Sequence, residues 1–293
     1  MSDVILTADG ESVILHGGAF DGHGIALTGL SGWYQTPDAK VTVTPRGQGD
    51  GGHDIVADDI MYDARVVTVG YRIIAGSDRE EALKQLALLD KLVHRLVTCR
   101  VIDDGQDTCC SGGYYVRSLE QKIQNPLWQN LSGDITLVFE RPERLSMLAH
   151  SGEARASVVQ SGGLSYGTGN AGLAYPLSYG TVSDGATIMR LPNQGTSRAY
   201  PTYALNGEWP NGCTLRLACD GLGSTLAFNS AIHAGTPVLL DTRSRTATMG
   251  GVDVTSGLSQ RGWMTIPAGS ALTVNLTTPG SGWVTCESHD TYI

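Results

Sequence analysis

TYALNGEWPNGCTLRLACDGLGSTLAF, residues 202–228, consists of three short apolar segments divided by Asn-Gly, Pro-Asn-Gly and Asp-Gly. Gly, Pro and Asn supply the backbone geometry of tight turns, so the segments between them are short strands. In CTLRLAC the apolar residues alternate with Thr, Arg and Ala, the period of a strand with one buried face. The same punctuation runs outward in both directions. ATIMRLPN precedes the stretch, and TPVLLDTR, RTATMGG, GWMTIPAG, ALTVNLTTP and GWVTCESH follow it. Many short strands at regular spacing, with no helix among them, predict a β-sandwich or jelly roll. Asp241, closing the VLL run before Thr-Arg-Ser-Arg, is expected to start a hairpin.

The first half differs by one element. VILTA, SVILHG, IALTGLSGWY, VTVTP and RVVTVGYRIIAG have strand character, and a polar glycine-rich loop, RGQGDGGHD, interrupts them. SDREEALKQLALLDKLVHRLV then predicts a helix over 78–97, opened by a capping box of Ser77 and Glu80. Its stripe is Ala82, Leu86, Leu89, Val93 and Leu96, expected to pack on the N-terminal sheet. Glu80 and Lys84 form an i,i+4 pair on the solvated side, and His94 is a boundary residue. CRVIDDG, GYYVRSLEQKIQ and GDITLVFERPE predict three more strands. The fold class is therefore mainly β, an α+β domain over 1–147 followed by a β-sandwich over 148–293.

Composition agrees. Glycine supplies 38 of 293 residues, about 13% against a usual 7% or so, and charged residues are only 17%. This excludes a helical bundle, while 41% hydrophobic content supports a core. The net charge of −9, with basic residues scattered, argues against a surface that grips nucleic acid. No cationic, apolar N-terminal leader and no bilayer-length apolar run are present, so a soluble chain made in a cytoplasm is expected. The six cysteines (Cys99, Cys109, Cys110, Cys213, Cys219, Cys286) show no CxxC or zinc spacing and are expected to be reduced. Cys109-Cys110 is placed in a turn beside Ser-Gly-Gly.

Catalytic chemistry is missing from the pattern. There is no GxSxG, HExxH, Walker loop or GxGxxG between strand and helix, and GQGDGG at 47–52 lacks the Lys of a phosphate loop. Asp58-Asp59 and Asp103-Asp104 are adjacent pairs, which on a strand point to opposite faces. DIVADD lacks the alternating oxygens of a calcium loop. The seven His have neither triad nor metal spacing. No enzyme, cofactor or metal is expected. Sugar-binding platforms use exposed aromatics, and Trp209, in the turn NGEWPNG, is the candidate sugar contact. Trp263 and Trp283 are expected to close the core.

A further order of motifs spans the second half. Tyr175-Pro176-Leu177 is followed by Asn193 with Gly195-Thr196, Tyr200-Pro201 and Gly207. Gly235 through Asp241-Thr242, Gly250-Gly251, and Trp263 through Ile266 to Gly269 come next. This succession resembles the C-terminal domain of siphophage distal tail proteins, and the first half is similar, less sharply, to that family's ring-forming domain. The resemblance implies a homohexameric hub with outward galectin-like domains. Such a hub joins the tail tube protein to tail tip, baseplate or receptor-binding proteins. The tape-measure protein and DNA would pass through its channel without specific binding. It implies a virion component assembled in the host bacterial cytoplasm, away from membranes. The motif residues read as fold determinants, not as reactive groups. The alternative is a carbohydrate-binding jelly roll for host attachment, using Trp209.

Overall fold

The computed structural model describes every residue except 1, 19, 21, 55–59, 77, 121–130 and 158–186. The Tyr175-Pro176-Leu177 motif, the Asp58-Asp59 pair and Ser77 lie outside the described residues. The chain divides into two compact units, Met1–Met147 with Tyr292–Ile293, and Leu148–Thr291.

In the first unit β1 (Asp3–Ala8), β2 (Glu11–Leu15), β5 (Val97–Asp103) and β6 (Gln106–Arg117) form one antiparallel sheet in the order β2-β1-β5-β6. β3 (Gly24–Ser31), β4 (Arg65–Ile74) and β7 (Ser132–Phe139) form a second, β3-β4-β7, which the far half of β6 completes. β6 thus belongs to both sheets: Gln106 to Gly113 pair with β5, and Tyr114 to Arg117 with β7. At the opposite edge His16 bridges the sheets. Its N–H donates to Ile25 O at 2.9 Å and its carbonyl accepts from Leu27 N–H at 2.8 Å. Val4, Leu6, Leu15, Val67, Val69, Tyr71, Cys99, Leu137 and Phe139 fill the space between. Alternation along each strand sends these side chains inward.

α1 (Arg79–Asp90) is shorter than expected. Asp78 is its cap, Oδ1 accepting from Glu80 N–H at 2.9 Å and Glu81 N–H at 3.2 Å. Ala82 and Leu89 are buried, Leu86 packs partly, and Glu80–Lys84 pair at 2.9 Å. Val93 and Leu96 leave the stripe and stand exposed, while Leu92 is buried instead. The reason is the turn into β5, where His94 adopts φ +63° and redirects the chain. Two other expectations also change. Cys109-Cys110 lies within β6, not in a turn. VTVTP (41–45) is no strand: among the described residues it carries a bridge from Pro45 to Gly52, with Thr44 O accepting from His53 N–H at 3.0 Å, and Val43 is exposed. Alternation without a partner strand leaves the backbone groups to solvent.

β8 (Arg144–Arg155) carries the chain from the first unit into the second. The sequence reading missed this strand. The second unit contains β9 (Ile188–Pro192), β10 (Thr202–Asn206), β11 (Cys213–Cys219), β12 (Leu222–Phe228), β13 (Val238–Asp241), β14 (Thr246–Met249), β15 (Val252–Asp253), β16 (Leu258–Arg261), β17 (Ala271–Leu276) and β18 (Trp283–Tyr292). One sheet runs β15-β14-β13-β10-β18 and the other β16-β12-β11-β17-β9, with antiparallel neighbours. Tyr203, Leu205, Val238, Leu240, Val284 and Cys286 of the first share one core with Leu215, Leu217, Leu226, Phe228, Leu272 and Val274 of the second. GWMTIPAG is not a strand. It is tied to the fold by a bridge between Ile266 and Ala199 and by hydrogen bonds such as Gly262 N–H to Thr225 O and Gly269 N–H to Asn193 O. The Asp241 hairpin is as expected, Oδ1 accepting from Arg243 N–H at 2.7 Å.

Candidate functional site

Among the described motif residues of the second half, Asn193 and Gly195 hold loops together. Asn193, buried, donates through Nδ2 to Ser197 O (2.7 Å), Ile266 O (3.0 Å) and Pro267 O (3.2 Å). Its Oδ1 accepts from Gly195 N–H at 3.0 Å and Thr291 N–H at 3.3 Å. One side chain thereby satisfies five backbone groups from three segments, and leaving them unpaired would cost the desolvation of each. Gly195 is required beside it, because a Cβ there would overlap the Thr291 carbonyl. Beside this cluster His150 Nε2 lies 3.0 Å from Asp290 Oδ1, and Gln194 N–H donates to the same oxygen at 2.7 Å.

Trp209 is not an exposed platform. It is 1% accessible, its Nε1–H donates to Asn206 O at 2.8 Å, and its backbone exchanges hydrogen bonds with Ile232. The turn is real, but Gly280 and Gly282 close over the indole, and a Cβ at Gly282 would overlap it. The candidate sugar contact is therefore a core anchor. Trp263 packs partly on the core, as expected. Trp283 is the converse case: it stands 37% exposed at the start of β18. Strand parity decides this, since Val284 and Cys286 point inward and Trp283, Thr285 and Glu287 outward.

In the first unit two arginines are buried. Arg65 donates from Nε to Pro142 O (2.6 Å) and from Nη1 to Gly32 O (2.8 Å), Trp33 O (2.7 Å) and Gln35 O (2.7 Å). It staples the 32–35 loop to the residues before β8. Arg144 lies between rings, 5.1 Å from the Tyr34 centroid and 5.8 Å from that of Tyr292. Burial pulls both guanidinium pKa values down. Tyr34 Oη–H donates to Asp103 Oδ2 at 2.8 Å, a bond that leads in holding the Asp103 carboxyl below its ordinary range. Asp103 also accepts from Asp104 N–H through Oδ1 at 2.9 Å.

The thiols are chemically quiet. Burial pushes Cys110, Cys213 and Cys286 up to about 12, and Cys99 well above the ordinary value. All six cysteines are free. Among the described residues no group of His, Cys, Asp and Glu is arranged to hold a metal. Among them, too, no helix is long and apolar enough to cross a membrane. The outer face of the β4-β7-β6 sheet is apolar and uncharged across its middle. Val66, Val138 and Tyr114 lie in one cross-strand row, and Thr68, Thr136 and Val116 in the next. Val66, Tyr114 and Val116 are each more than half exposed.

The described residues thus form a two-sheet β unit with one helix, followed by a β-sandwich. The Dit protein of phage SPP1, described as a paradigm of the hub adsorption apparatus in Gram-positive-infecting phages, is similar over 99% of both chains (TM-score 0.62, 11% identity). A chain of the phage P2 baseplate in its activated conformation with calcium is similar over 99% of this chain and 98% of that one (TM-score 0.51, 12% identity). The same baseplate with strontium gives the same values. No protein-family model and no curated protein sequence matches the chain. The chain thus has the fold of distal tail hub proteins, in line with the resemblance of its motifs.

Proposed function

We propose that this chain is the structural hub at the distal end of a long-tailed phage or prophage tail. The observation that carries the reading is the likeness to a solved adsorption hub over 99% of both chains. Six copies close into a ring through the first unit, in which each copy presents the same two surfaces to its neighbours. The exposed Val66–Val138–Tyr114 row suits such a contact, because burying it removes apolar area from water. The ring joins the tail tube to tip, baseplate or receptor-binding proteins and acts in the virion after assembly in the host cytoplasm.

Its work is mechanical and not catalytic. The net charge of −9 suits a channel whose wall is acidic or neutral, so that tape-measure protein and DNA slide past without being held. Light scattering on the purified chain, alone and mixed with its tail tube protein, tests this. A mass of six copies is expected. A monomer under both conditions overturns it.

A further inference from the structure

We propose that the outward face of the β12-β11-β17-β9 strands docks an acidic polypeptide segment, held by Arg190 and Arg216. Burial alternates along these strands, so Arg216 and Ala218 of β11 face outward, as do Ile188 and Arg190 of β9. Arg216 stands between Thr225 of β12 and Asn275 of β17, and Asn275 pairs on with Ile188. In the next row Ala218 pairs with Thr273, and Thr273 with Arg190. The two arginines thus flank one central strand, β17. Both are exposed, and among the described residues neither guanidinium has an ion pair or a side-chain hydrogen bond. The two rows contain no carboxylate. Asp220, past the end of β11, accepts from Ser270 Oγ–H at 2.6 Å.

This is a cationic face on a chain of net charge −9. The kind of cation matters. Residues 148–293 contain seven arginines and no lysine. A lysine ammonium is strongly hydrated, whereas the guanidinium sheds water more readily, grips a carboxylate with two parallel bonds and is enriched in protein contacts. Charge complementarity therefore selects a partner that brings carboxylates.

The spacing sets the form of that partner. Strands lie about 4.8 Å apart and residues rise about 3.4 Å, so two strands across and two residues along put the two arginine Cα atoms about 12 Å apart. An extended segment covers about 13 Å between residues i and i+4, and those two side chains share one face. A Glu-x-x-x-Glu pattern in extended conformation matches both arginines. Thr273 and Asn275, lying between them, offer hydroxyl and amide groups to its backbone, and Ile188 an apolar contact at the edge. Nucleic acid fits less well, because a phosphate chain needs a continuous track of cations, and here Ile188 and Ala218 interrupt it. The proposal does not depend on ring formation.

The test is an array of Thr-Ser-Val peptides carrying two Glu at separations of about two to six residues, probed with the labelled full chain. Retention should peak at a separation of about four residues and fall as salt is raised. The best peptide is then titrated in solution by fluorescence anisotropy. Arg190→Ala or Arg216→Ala should each weaken binding about threefold, the scale of one exposed ion pair. The double variant Arg190→Glu with Arg216→Glu should lose the peptide and gain its counterpart with Lys in place of Glu. Near-UV circular dichroism reports folding, and the two alanine variants carry the test if the double variant is disturbed. Retention of no acidic peptide by the wild-type chain overturns the proposal. So does retention that ignores the separation, unchanged binding by the folded variants, or tighter binding of a thymidine oligonucleotide than of any acidic peptide.

Discussion

Trp209→Ala should be the most damaging single aromatic change in the second unit. The indole is 1% accessible, hydrogen-bonded to Asn206 O at 2.8 Å and covered by Gly280 and Gly282. Truncating a buried Trp costs roughly 3–5 kcal/mol, the lost transfer term plus the cavity left by incomplete collapse. For a unit of this size about 1 kcal/mol moves the midpoint by about 3 °C, so a fall of roughly 9–15 °C is expected. Thermal unfolding of the full chain, followed by near-UV circular dichroism, measures it. Trp283→Ala is the internal control and should move the midpoint by no more than about 3 °C, as surface substitutions do. Gly282→Ala sharpens the test, because its Cβ overlaps the indole in the native chain. It should destabilise the wild type but cost less in the Trp209→Ala background, where the ring is gone. A coupling above about 1 kcal/mol is expected. A midpoint shift under about 3 °C for Trp209→Ala, or additive behaviour of the pair, refutes the assignment of Trp209 as a core anchor.

Other consequences concern the first unit, the loop network and the thiols. Arg65→Met removes four donated hydrogen bonds and leaves the Gly32, Trp33, Gln35 and Pro142 carbonyls unpaired; a loss of about 3–5 kcal/mol in denaturant unfolding is expected. Asn193→Ala should cost several kcal/mol by the same assay, since five backbone groups lose one shared partner. Val66→Asp places a charge in the exposed apolar row of β4 and should block assembly without lowering the melting midpoint, read by sizing and calorimetry together. Burial pushes the Cys110, Cys213 and Cys286 thiols from the ordinary 9.0 up to about 12. Native protein therefore holds protons that the unfolded chain has lost. The stabilisation is whole below about pH 9 and fades as pH rises from there toward 12. The urea midpoint should fall between about pH 8 and pH 10.5, and Cys213→Ala should flatten that slope; a pH-independent midpoint counts against it.

Strands were legible wherever one face is core and the other solvent. In CTLRLAC and WVTCESH the alternation of side chains is the alternation of burial. β8 escaped because RLSMLAHSGEAR buries few of its residues, so no period shows. VTVTP had the period but no partner strand among the described residues, and alternation alone makes no ladder. Ser-Gly-Gly beside Cys109-Cys110 reads as a turn, yet those glycines lie where β6 passes from one sheet to the other; Gly113 leaves room for the Phe139 ring. The tryptophans were exchanged for a related reason. Pro and Gly around Trp209 correctly indicated a turn, but the glycines that cover the ring lie far along the chain. For Trp283 the signal was local: Val284 and Cys286 inward place Trp283 outward. The motifs of the second half were legible as fold determinants, and Asn193 with Gly195 shows the physical reason in one hydrogen-bond cluster.

Negative-stain electron microscopy of the purified chain tests the hub account most directly. The account predicts six-fold rings with an open central channel, in which the first units form the closed wall. Uniform monomeric particles, or rings lacking a through-channel, would contradict it.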